Sequence, residues 1–217
     1  MSAAQSWHED LGEKNMELLP HATGDMASAP AATPDGAWET VGVVDILGDR
    51  SSQLQMVRWS WVILAFGIAT AVILWFALFR GQEPRGYLWL LAAVGISFAV
   101  LPVHELIHAA AFKLMGGLHV PVHFGATYGM LMTSAEGVIL TRSRFVVVLL
   151  APAVVVSVAL LAGLCAAGYP LLAWVVCVLH LSGCTGDFGM VKEILRTHEA
   201  SHVEDCSFGI RLLRRAA

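Results

Sequence analysis

The chain has 217 residues, of which 57% are hydrophobic and 14% charged, with a mean hydropathy of +0.67 and a formal net charge of −4. Such a composition excludes an ordinary soluble domain and predicts an integral membrane protein. No basic cluster with interleaved aromatic residues is present, so nucleic-acid binding has no support.

The start, Met1 to Lys14, lacks an apolar core behind a basic flank, so no cleavable signal peptide is expected and the first membrane segment stays in the mature chain. Residues 1–57 hold Pro20, Pro30 and Pro34, and nine of the seventeen acidic residues precede Ser51. They are expected to form an acidic, largely flexible tail, with the apolar patch Val41 to Leu47 as a short strand or docking segment.

From Trp59 to Phe79 twenty-one residues carry no charge, between Arg58 and Arg80, which is enough to cross a hydrocarbon core of about 30 Å. After a polar turn, Gly81 to Gly86, a second span begins at Tyr87 and runs to Leu114, where Gly116 and Gly117 stop it. The segment from Leu118 to Arg144 alternates around His119, Pro121, His123 and two glycines, and reads as a hairpin or irregular loop. A third span covers about Phe145 to Ala167 and contains Pro152. The fourth starts near Pro170 and continues through Asp187 to about Arg196. Trp59, Trp61, Trp75, Trp89 and Trp174 lie near span ends, as interfacial aromatics do.

The expected fold is therefore an all-α membrane protein of about four transmembrane helices, with a short strand-like cytoplasmic segment between spans two and three. Residues 58–196 form the membrane domain and 197–217 a cytoplasmic tail whose Arg211, Arg214 and Arg215 could rest on anionic lipid. With four spans, eleven of the thirteen Lys and Arg residues share one side, and only Arg80 and Arg85 lie on the other. The positive-inside rule then puts both termini in the cytoplasm. The four cysteines, Cys165, Cys177, Cys184 and Cys206, lack paired metal-binding spacing and read as packing residues.

The chemistry concentrates at the far end of span two, in His104-Glu105-Leu106-Ile107-His108. Two histidines four residues apart project from one helix face, the spacing a tetrahedral zinc ion needs from a single helix. A metal held there lowers the pKa of its water toward neutrality, and the neighbouring carboxylate of Glu105 takes the proton. Such a site needs a third protein ligand. Between Phe145 and Val191 the only charged residue is Asp187, and an ionisable group inside a span is costly without a partner or a function. His104 lies seventeen residues beyond Tyr87, and Asp187 lies seventeen beyond Pro170 on a helix entering from the same side. Both sit roughly 26 Å along their helices, at equal depth near the cytoplasmic face.

His180, two turns before Asp187, is a rival ligand whose expected role is a hydrogen bond across helices or support behind the metal ligands. Cys184, one turn from Asp187, is another possible ligand and ranks below it, because a buried thiol needs no charge compensation. His119 and His123 repeat the four-residue spacing, but Pro121 between them argues for extended backbone and a surface role.

The pentapeptide, the strand-like segment after it, the Leu150-Ala151-Pro152 turn and the final Gly186-Asp187 together resemble the small bacterial membrane proteins of the "putative zincin peptidase" family, which are distantly similar to the site-2, or intramembrane zinc, proteases. The resemblance covers about residues 85–210. It implies Zn2+ held by His104, His108 and Asp187, Glu105 as general base, and cleavage of a peptide bond in a peptide or membrane-protein substrate, in or beside the bacterial cytoplasmic membrane. Site-2 proteases usually set the last ligand in a Leu-Asp-Gly context, whereas here it stands in Thr185-Gly186-Asp187-Phe188-Gly189. The alternative from another class is a non-catalytic metal-binding membrane adaptor or regulator. A haem-binding bundle built on His180 leaves Glu105 and Asp187 without a role.

Overall fold

The computed structural model describes residues 37–46, 48–77, 86–127 and 130–216. The expected tail before Ala37, the end of the first span and the turn at 81–85 lie outside the described residues.

Strand β1 (Trp38–Asp45) comes first. Helix α1 (Arg50–Ala77) starts eight residues before Arg58, because the Asp49 carboxylate accepts from the backbone N–H groups of Ser51 and Ser52 at 3.0 and 3.1 Å and so supplies an N-cap. The hydroxyls of the same two serines also donate to Asp49, and together these bonds hold its carboxyl well below the usual carboxylate range. Helix α2 (Tyr87–Gly116) contains Pro102 and closes at Gly117, whose φ of 105° is one that glycine adopts without strain. A two-stranded hairpin follows, β2 (His123–Thr127) against β3 (Met130–Ser134). Then come β4 (Ile139–Thr141), α3 (Arg142–Ala166), α4 (Pro170–Gly183) and α5 (Thr185–Arg196). The chain finishes in a hairpin of β5 (His202–Cys206) and β6 (Gly209–Arg215).

Three helices, α1, α2 and α3, are long and apolar enough to cross a membrane, and α4 with α5 makes a fourth if the bent pair is one span. These helices bury little of their apolar surface against each other. Phe66, Ile73 and Phe76 of α1 and Leu88, Leu91 and Phe98 of α2 are all exposed, an arrangement compatible with a membrane protein. Helix α1 packs on α4 and α5, while α3 packs between α2 and α4. Gly67 lets α1 approach α4 closely: a Cβ there would fall within the isopropyl group of Val178, and the Gly67 carbonyl accepts from the Trp174 indole N–H at 3.0 Å.

Two expectations need correction. The fold is mostly helical but not all-α: a four-stranded antiparallel sheet, in the order β1-β6-β5-β4, is drawn from three distant stretches of the chain. Its strands form because Ile210 and Leu212 of β6 and Val203 of β5 are buried on one face while Arg211 and Glu204 point away and pair at 2.9 Å. Arg214 likewise meets Glu39 of β1 at 2.8 Å. The second correction concerns the fourth span, which is broken at Cys184, with a bend of 53° between α4 and α5. At the break the Ser60 hydroxyl of α1 donates to the Ser182 carbonyl at 2.7 Å and lies 3.0 Å from the Thr185 hydroxyl, satisfying backbone that the interrupted helix leaves open. The main core lies where the start of α3, α5 and the sheet meet, around Phe145, Ile194, Val203 and Ile210, all fully buried.

Candidate metal centre

The histidines of the pentapeptide leave α2 on one face, one turn apart, with their Nε2 atoms 3.1 Å apart. Asp187 arrives in the first turn of α5, immediately after the break. Its Oδ2 lies 3.4 Å from His104 Nε2 and its Oδ1 lies 3.5 Å from His108 Nε2. Four ligand atoms around a tetrahedral zinc at about 2.0–2.1 Å stand roughly 3.3 Å from one another. The two imidazole nitrogens stand close to that value, the carboxylate approaches each of them through a different oxygen at a similar distance, and one ligand atom from each of the three residues lies within 4.8 Å of the others.

The lone-pair directions point the same way. His108 Nδ1 is 3.1 Å from the Val148 carbonyl oxygen. A carbonyl only accepts, so Nδ1 carries the proton and the neutral ring turns the Nε2 lone pair toward Asp187. Two acceptors 3.5 Å apart need a proton or a cation between them, and a zinc ion meets that need.

Val148 is free to hold His108 because of Pro152. In an uninterrupted helix the carbonyl of residue 148 would accept from the N–H of residue 152, and proline has none. Pro152 is fully buried inside α3, and the Val148 carbonyl that it leaves without a helical donor faces His108 of α2. This link was not anticipated from sequence, although a proline inside an apolar span is itself a signal of freed backbone.

Behind His104 a second set of groups gathers. His104 Nδ1 is 3.1 Å from His180 Nε2, and His180 Nδ1 is 3.4 Å from the Ser157 hydroxyl. Cys184 Sγ lies 3.6 Å from His180 Nε2 and 3.9 Å from His104 Nδ1, and donates to the His180 carbonyl at 3.2 Å. Glu105 is half-buried next to His104 and supplies no atom to either group. Its backbone carbonyl accepts from the Thr133 hydroxyl of β3 at 3.0 Å, so the β2–β3 hairpin is tied to the pentapeptide. His119 and His123 join no metal-binding group among the described residues.

The hairpin is anchored in turn by Asp205 of β5, which is almost fully buried. Its carboxylate accepts from the Ser134 hydroxyl at 2.9 Å and from the Ala135 backbone N–H at 2.6 Å. Burial pushes the Asp205 carboxyl up to about 6, outweighing these two bonds, which act in the opposite direction.

No curated protein and no solved structure matches the chain. Residues 97–202, which carry the pentapeptide, the hairpin, Pro152, His180 and Asp187, match the family model described as "Putative zincin peptidase".

Proposed function

We propose that the protein is a zinc-dependent membrane metallopeptidase that hydrolyses a peptide bond near the cytoplasmic face of a bacterial membrane, with a chemistry related to that of the site-2 proteases. One observation carries this reading: His104 Nε2, His108 Nε2 and the Asp187 carboxylate converge, with one ligand atom from each within 4.8 Å of the others, beside Glu105 and within the matched residues 97–202. When bound, zinc supplies a Lewis acid that lowers the pKa of water and polarises a carbonyl.

The chain's own residues do the rest. His104, His108 and Asp187 hold the ion. Val148 fixes the His108 tautomer, and His180 accepts from His104 Nδ1–H and fixes that ring in the same way. Glu105 takes a proton from the attacking water and returns it to the leaving amine. Among the described residues β2 pairs with β3 alone, so its other edge is open to an extended peptide adding by main-chain hydrogen bonds, and Thr133 holds that hairpin against the pentapeptide. The partners of this reading are membrane lipid around α1 to α3 and a peptide or membrane-protein substrate.

The test compares wild type with Glu105→Gln in detergent or liposomes, reading zinc content and cleavage of a membrane peptide panel. The expected variant keeps its zinc and loses cleavage. Full turnover by Glu105→Gln would sink the mechanism. Zinc in both proteins with no product from any peptide would favour a non-catalytic metal-binding regulator.

A further inference from the structure

Both motif histidines are engaged on both sides of the ring, but among the described residues His104 alone belongs to two groups of metal-ligating side chains. Its Nε2 faces His108 and Asp187, and its Nδ1 faces His180 and Cys184. The second group, His104 Nδ1, His180 Nε2 and Cys184 Sγ, is a ligand set in its own right. Around one tetrahedral ion, two imidazole nitrogens stand about 3.3 Å apart and a sulfur and a nitrogen about 3.6 Å apart. The separations here are 3.1 Å between the nitrogens, and 3.6 and 3.9 Å from the sulfur to each. A thiolate with two imidazoles suits a thiophilic cation, whereas two imidazoles with a carboxylate make a harder site.

A neutral imidazole has one lone pair and one N–H, so His104 serves one cation at a time. Each tautomer finds a partner. With the Nε2 lone pair turned to the outer ion, Nδ1–H donates to His180 Nε2 at 3.1 Å. With the Nδ1 lone pair turned inward, Nε2–H donates to Asp187 Oδ2 at 3.4 Å.

We propose that His104 Nδ1, His180 Nε2 and Cys184 Sγ form an inner site for a thiophilic cation, mutually exclusive with the outer zinc, so that filling the inner site withdraws His104 and switches the outer site off. On binding, the Cys184 thiol releases its proton to solvent and the sulfur lone pair forms the new bond, with no change of oxidation state. The outer site is left with His108 and Asp187, too few ligands to retain zinc. The inner site depends on these three side chains alone and stands whether or not the protein is a peptidase.

The experiment titrates the purified zinc-loaded full chain with Cd2+, following thiolate-to-cadmium absorption in the ultraviolet and released zinc together. Wild type should gain one thiolate band per chain and release its zinc in step. Cys184→Ser and Cys184→Ala should each lose that band and keep zinc at cadmium concentrations that empty wild type, with Cys206→Ser unchanged as a control. His108→Ala and Asp187→Asn, in which the outer ion is lost, should retain the band. A band that survives both Cys184 variants, or that grows in wild type without zinc release, overturns the proposal. Wild type that binds no zinc yet shows the Cys184-dependent band would refute the peptidase reading and leave the inner site standing.

Discussion

Pro152→Ala separates the geometry of the metal centre from the stability of the fold. The substitution supplies an N–H at position 152 that would point at the Val148 carbonyl, the group now 3.1 Å from His108 Nδ1. Proline inside a helix costs about 3 kcal/mol relative to alanine, so the variant should have a more regular α3 and resist unfolding at least as well as wild type, less a small loss for the side-chain atoms deleted at a fully buried position. Zinc binding should move the other way. The restored helical bond competes for the carbonyl that holds the His108 tautomer, and loss of such a partner typically weakens metal affinity about 10–100-fold, or roughly 1.4–2.7 kcal/mol. Competition with a chelator of known affinity reads the first quantity, and thermal unfolding of the metal-free protein in detergent reads the second. Unchanged zinc affinity in a well-folded Pro152→Ala protein would refute the link from Pro152 through Val148 to His108.

Two further outcomes test how the site is held in place. Asp205, raised from 3.8 to about 6 by burial, favours the neutral acid in the folded state: its stabilising contribution is complete below about pH 4 and is lost as pH rises to about 6. Above that pH the buried charge costs about 3 kcal/mol, so Asp205→Asn, whose amide oxygen can accept from both Ser134 and Ala135, should match wild type at pH 4 and exceed it at pH 8 in chemical unfolding. Asp205→Ala, which strands both donors, should lose about 1–3 kcal/mol for each at pH 4, and a Asp205→Asn difference independent of pH would contradict the account. Gly67→Ala should destabilise the α1–α4 contact by about 1–3 kcal/mol through its clash with Val178, and Val178→Ala in the same chain should recover most of that in a double-mutant cycle.

What could be read from the residues divides by the range of the interaction. The spacing of His104 and His108 is a property of one helix, and so is visible in five residues. Asp187 stood out because it is the one charge in a long apolar run, and counting residues along two helices set it at the level of His104. That count treated the fourth span as straight. The break at Cys184 bends the path, but it comes only three residues before Asp187, so the carboxylate stays within one turn of the height counted for it. The sheet was illegible for a different reason. Strand β1 pairs with β6 at the opposite end of the chain, Trp38 with Arg215, and no local signal names such a partner. Within β6 the alternation of buried Ile210 and Leu212 with outward Arg211 was a usable period-2 signal, outweighed by reading three arginines as a lipid-facing tail. A proline at 152 announces a freed carbonyl, but only the packing of α3 on α2 says that His108 takes it.

The central claim is that His104, His108 and Asp187 together hold one zinc ion. Elemental analysis of the purified protein, wild type beside His108→Ala and Asp187→Asn, tests it most directly. The account predicts one zinc per wild-type chain and loss of that zinc in each variant, with both variants still folded by helix content. Full zinc retention by a folded Asp187→Asn protein would contradict it.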